Sequence, residues 1–139
     1  MNVTASTTIN APTETVWAVL TDPARLTQDT GILRLDGRIA PGAKIKLWSS
    51  VAPDRAFKLR VTAFEPARAM VWEGGMPLGL FRGTRRFTLT PEGAQIQLMM
   101  SETFTGPLAG PITRTMPDLQ PSFETFLAAV KRMSEGDTQ

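Results

Sequence analysis

The chain has 139 residues, of which 42% are apolar and 20% charged, a length and balance that fit one globular domain and exclude a second independent core. Cys, His and Tyr are all absent, which removes thiol nucleophiles, imidazole bases, disulfides and Cys/His metal centres together. The net charge is only +2, so the basic isoelectric point reflects a shortage of groups titrating near neutrality and is no nucleic-acid footprint.

In chain order, Val3, Ala5, Thr7 and Ile9 alternate with polar neighbours, which predicts a half-buried strand over about residues 2–10. Pro12 presets a helical turn, Val16, Trp17 and Leu20 give that helix an apolar face, and Thr21-Asp22-Pro23 restarts a second short helix with Asp22 as its cap. From residue 31 to 104 the pattern becomes a meander of about six strands, broken at Asp36-Gly37, Pro41-Gly42, Pro53-Asp54, Glu65-Pro66, Gly74-Gly75 and Pro91-Glu92-Gly93. Phe57, Leu59, Val61 and Ala63 oppose Lys58, Arg60 and Thr62 in one strand, and Phe81 to Leu89 and Ile96 to Phe104 form the last hairpin. Leu119, Phe123, Phe126, Leu127, Val130 and Met133 then recur at helical spacing, predicting a helix over 118–134 that starts after Pro117. Residues Gly106 to Met116 fit either an interrupted turn of that helix or a loop. The N-terminus has no basic start followed by an apolar run, and no segment reaches about 18 apolar residues, so a cytoplasmic protein without a membrane span is expected.

This order implies an α+β design: a seven-stranded curved antiparallel sheet around a long C-terminal helix, with two short helices after strand one. One helix cannot fill the concave side of such a sheet, and the remainder is a cavity suited to small apolar ligands.

The stretches INAPTETVWAVLTDPARL (Ile9 to Leu26), FEPARAMVWEGG (Phe64 to Gly75) and FRGTRRFTLTPEGAQIQLMMSETFTGPLAG (Phe81 to Gly110), followed by the long helix, resemble the START-like, or helix-grip, superfamily. That superfamily includes the birch pollen allergen, polyketide cyclases and many bacterial SRPBCC proteins, and the resemblance spans 1–139 as a single ligand-binding domain. It implies lipid, hormone or polyketide binding, with cyclisation, dehydration or activation of a heat-shock ATPase in some members. Histidines are expected on the inward side of the last two strands in such relatives. Arg85 and Met100 stand there instead, while Glu102, Phe104 and Gly106 fit an E-x-F-x-G ending.

Arg85 shares the inward parity of Phe81, Phe87 and Leu89, and Glu102 that of Ile96, Met100 and Phe104, so two charges face the core. They form either a structural ion pair or a polar anchor in an apolar pocket. A tight turn at Glu92-Gly93 predicts Arg85 opposite Met100 and Gly83 opposite Glu102, leaving Arg85 and Glu102 as diagonal neighbours about 7–8 Å apart. Met70, Trp72, Met100, Met116, Phe123 and Leu127 join Phe81, Phe87 and Phe104 as candidate pocket walls, or as plain core. Met76, Pro77, Leu78, Leu80 and Phe81, among Gly74, Gly75 and Gly79, fit a lip over the cavity or a twisted edge.

Lys44, Lys46, Lys58, Arg60, Arg82 and Arg86 share outward parity, with Trp48 beside them. Lacking a second aromatic to stack a base, this stripe disfavours nucleic acid and leaves a protein partner open. No glycine-rich phosphate loop or carboxylate cluster occurs, so neither metal nor organic cofactor is called for. The leading reading is reversible binding of a lipid, polyketide or aromatic metabolite. A cofactor-independent cyclase, dehydratase or hydrolase using Glu102 as acid or base, with Arg85 polarising a carbonyl, is the enzyme alternative. The third reading is a protein-interaction module.

Overall fold

The computed structural model describes residues 2–136. A first strand β1 (Asn2–Ile9) leads into helix α1 (Thr13–Leu20) and a single 3-10 turn at Arg25–Thr27. Asp22 closes that turn: its carboxylate accepts from the Ala24 amide at 3.0 Å and lies 3.6 Å from Arg25. Strands β2 (Ile32–Asp36), β3 (Lys44–Ser49), β4 (Ala52–Glu65), β5 (Ala69–Gly75), β6 (Arg82–Glu92) and β7 (Gln95–Thr105) follow as the expected meander. All seven join in one antiparallel sheet of order β1-β7-β6-β5-β4-β3-β2. Gly106 to Met116 contains a separate short helix, α2 (Ala109–Arg114), and the long helix is α3 (Gln120–Gly136).

The helix α3 packs on β1 and β7 with Phe123, Phe126, Leu127 and Val130 at 2% exposure or less, while Glu124 and Arg132 stay exposed. Its last turn is tied to the end of β1. Glu135 accepts from the Asn10 amide at 2.9 Å and lies 3.1 Å from Lys131, whose ammonium donates to the Thr8 carbonyl. The backbone bond from Asn10, followed by the Lys131 bond, holds the Glu135 carboxyl below the usual glutamate range. No helix among the described residues is long and apolar enough to cross a membrane.

Four local expectations are corrected. Pro53-Asp54 is not a turn: the β3–β4 connection lies at Ser50-Val51, and four residues of β4, 53–56, are left unpaired with β3 between the Leu47–Phe57 and Ser49–Ala52 pairs. Alternation in β4 also breaks at Thr62, where the Val61–Trp72 and Ala63–Val71 pairs differ by one residue. Ala63 is therefore exposed, and Phe64 turns inward to meet Trp17 edge-on at 5.2 Å. Gly74-Gly75 is no turn either. Both residues pair with β6, and a Cβ on Gly74 would stand 2.5 Å from the Lys58 carbonyl oxygen, so glycine permits close approach of β4 there.

The fourth correction is the last hairpin. It turns at Gly93-Ala94, one residue later than expected, so Glu92 pairs with Gln95 and Arg85 lies directly opposite Glu102. At the far end of β7, Gly106 has φ +102, and a Cβ there would lie 2.6 Å from the carbonyl oxygens of Gly79 and Leu80. Gly106→Ala should therefore lower the unfolding free energy by roughly 1–3 kcal/mol, read from the urea midpoint. An unchanged midpoint would show that the β7–α2 corner relaxes freely.

Candidate functional site

The α3 helix and the sheet do not close on one another at one end. Between them lies a cavity of about 760 Å³, within the size range of small-molecule sites. Its walls are mainly apolar: Ile32, Leu47, Phe57, Leu59, Trp72, Phe81, Met100 and Phe104 from the sheet, and Met116, Leu119, Phe123 and Phe126 from the C-terminal segment. Aromatic contacts stiffen them. Trp72 meets Phe87 edge-on at 4.8 Å, Phe81 stacks on Phe104 at 5.7 Å, and Phe126 tilts against Phe87 at 5.8 Å.

One ion pair interrupts this lining. Arg85 Nε donates to Glu102 Oε1 at 2.7 Å, with side-chain exposures of 23% and 13%. The register makes the pair, because the two residues face each other across β6 and β7 on the inward side. The guanidinium carbon also sits 5.0 Å from the Phe123 ring centre, joining the pair to α3 by a cation–π contact. Among the described residues only Nε of Arg85 finds an acceptor, and its two terminal amino groups have none. Trp72 adds a second unsatisfied donor, since its buried Nε1 has no hydrogen-bond partner. Thr30, Ser49, Thr115 and Ser122 supply hydroxyls at the rim. Among the described residues no group of three carboxylates could hold a metal ion.

Of the eleven candidate site residues, Trp72, Phe81, Arg85, Met100, Glu102, Phe104, Met116 and Phe123 line the cavity. Met70, Phe87 and Leu127 do not: each is at 2% exposure or less in the solid core behind it. The sequence reading missed Val51, Ala52, Arg55 and Ala56 at the β3–β4 tip and Ile112 and Thr115 around α2, which also border the cavity. No periodic signal marks a bulge of four residues or a helix of six, whereas the alternation of Phe57 and Leu59 could have placed those two.

On the outer face, Lys44 pairs with Arg60 and Lys46 with Lys58 directly across β3 and β4. Arg34 lies over the Trp48 ring at 4.9 Å, so that face of the indole is already covered.

A family model described as "Polyketide cyclase / dehydrase and lipid transport" matches residues 1–135. No curated protein matches the chain. Among solved structures, it resembles the Zhui aromatase/cyclase from Streptomyces sp. R1128, at 17% identity and TM-score 0.78 over 100% of this chain and 96% of that one. Protein MLL2253 from Mesorhizobium loti is similar at 18% identity and TM-score 0.74, with 96% of both chains covered. The di-domain ARO/CYC StfQ from the steffimycin biosynthetic pathway follows at 13% identity and TM-score 0.75, over 99% of this chain and 52% of that one.

Proposed function

The chain belongs to the polyketide cyclase, dehydrase and lipid transport family, and on that premise we propose that it reversibly binds a small, largely apolar molecule in the cavity between sheet and α3. The observation that carries this reading is a cavity of about 760 Å³ walled mainly by apolar side chains, with the Arg85–Glu102 ion pair in its wall and Arg55 and Lys58 at its border. The free amino groups of Arg85 point to a ligand with at least one acceptor oxygen, held at the Arg85–Glu102 end while its apolar body lies against Trp72, Phe104 and Phe123.

A thermal-shift screen of fatty acids, sterols and aromatic polyketides tests it. A ligand at about a hundred times its Kd adds about 2.7 kcal/mol of apparent stability, which for a domain of this size raises Tm by roughly 8–15 °C. Failure of all three classes to move the midpoint would remove the reading.

The same ion pair favours a second reading, cofactor-independent cyclisation or dehydration, with Glu102 moving a proton and Arg85 polarising a substrate carbonyl. Besides Glu102, the lining holds one further proton-transfer side chain of ordinary kind among the described residues, Lys58, since the chain lacks His, Tyr and Cys. Product formation from a bound polyketide, abolished in Glu102→Gln with binding retained, separates turnover from carriage.

A further inference from the structure

The antiparallel meander places the β3–β4 tip, the β5–β6 connection, the start of β2 and the end of β7 at one end of the molecule. Exposed apolar side chains gather there. Six large apolar residues are strongly exposed among those described, and five of them, Leu33, Val51, Met76, Leu78 and Leu80, belong to this end; only Met99, midway along β7, does not. Val51 and Met76 are 44% and 42% exposed and also line the cavity, so the cavity opens between them. Leu78 projects furthest, at 96% exposure, from a left-handed backbone position (φ 62, ψ 21) that a branched side chain rarely adopts.

We propose that this end docks on an anionic phospholipid surface, with Leu78 and its neighbours entering the bilayer interface around the cavity mouth. Three observations select a bilayer over a protein partner. The exposed large apolar residues of the lip are aliphatic and thioether, without the exposed Trp or Tyr anchors that dominate protein interfaces. One of its leucines stands almost fully in water, a disposition that enters a fluid layer more readily than it matches a folded surface.

Charge supplies the third. The hairpin with Val51 at its tip carries Lys44, Lys46, Lys58 and Arg60 on its outer face, none with an acidic partner within 4 Å among the described residues. Asp36 lies opposite Lys46 but is engaged by Arg34 at 2.9 Å, and Glu73 lies opposite Arg60 but is approached by Arg82 at 3.8 Å, so Lys44, Lys46 and Lys58 carry the uncompensated charge. Like charges directly opposite on a ladder repel, and an anionic surface relieves that repulsion. Lys46 stands four residues from Ser50 at the tip, on the order of 13 Å, and Lys58 is its direct partner across the ladder, within reach of a headgroup layer and its adjoining Debye length.

Docking is read without a cavity ligand, so it stands or falls separately from the binding reading above. The test is co-sedimentation with vesicles of phosphatidylcholine alone and of phosphatidylcholine mixed with phosphatidylserine. The native chain should sediment with the mixed vesicles, and Leu78→Asp should lower its partition by at least about tenfold. Aspartate tolerates the left-handed position better than leucine, so the thermal midpoint of Leu78→Asp should not fall. Lys46→Glu with Lys58→Glu should weaken binding to the mixed vesicles only, and Met99→Asp should leave it unchanged. The proposal is overturned if the native chain ignores both vesicles, or if Leu78→Asp binds as well as it does. It is overturned equally if the free chain is a dimer that Leu78→Asp converts to monomer, because the lip would then be covered by a second copy.

Discussion

Phe126→Ala should cost about 3–5 kcal/mol of unfolding free energy, the range for truncating a fully buried aromatic ring. The ring is 2% exposed and lies against Phe87, which in turn meets Trp72, so it connects α3 to the inner faces of β6 and β5. The sheet is hydrogen-bonded on both sides of these strands and cannot collapse into the gap, which adds a cavity term to the lost transfer energy. Urea unfolding reads the cost as a lower midpoint at unchanged slope. Glu124→Ala, one turn face away in solvent, should change stability by less than about 0.5 kcal/mol. A cost below about 1 kcal/mol for Phe126→Ala would mean that the ring is only a cavity wall, with the helix held by other contacts. Because Phe126 also borders the cavity, the variant should enlarge the ligand space, and bulkier ligands should gain relative to smaller ones in the same thermal-shift screen.

Most of the fold was legible because two signals agreed along most of the chain. Helical spacing from Leu119 to Met133 specified a buried stripe, and two-residue alternation in Phe81 to Leu89 and Ile96 to Phe104 specified an inner and an outer face. The failures share one cause. At Thr62 and at residues 53–56 extra residues enter one strand and not its partner, and alternation, which assumes equal spacing on both strands, cannot register the insertion. Proline and glycine misled in the same way at Pro53 and Gly74. Each sits where a strand is exposed or closely approached, and turns are only one of the backbone situations that favour those residues.

The cavity was less legible than the fold. Inward parity collected the right sheet residues but could not separate Phe87 and Met70, packed in solid core, from Trp72 and Met100, which border open space. That distinction depends on how far α3 stands from each strand, and the distance is set by the whole sheet's curvature. The ion pair shows the opposite balance. Its existence followed from parity alone, while its geometry turned on one residue of hairpin length, which moved Arg85 and Glu102 from diagonal to directly opposed.

Direct opposition sharpens what removal of either partner should do. Arg85 and Glu102 are mostly withdrawn from water yet border the cavity, so a single charge left behind is partly stranded and partly screened. Arg85→Met and Glu102→Gln should each cost on the order of 2–4 kcal/mol, somewhat less than a fully dry pair. Arg85→Met also loses the contact with Phe123, worth about 0.5–2 kcal/mol, and should be the costlier of the two. The double variant should be more stable than the sum of the singles predicts by at least about 1 kcal/mol, since neither charge then remains unpaired. Ligand affinity separates the roles that stability cannot. An anchoring pair loses at least about tenfold in affinity in both singles with no recovery in the double, because the ligand's oxygen needs the guanidinium and the guanidinium needs the carboxylate to hold it in place. A purely structural pair regains affinity in the double as the fold recovers. Additive effects in both readouts would show that the two residues act independently, and the polar end of the cavity would then carry no shared role.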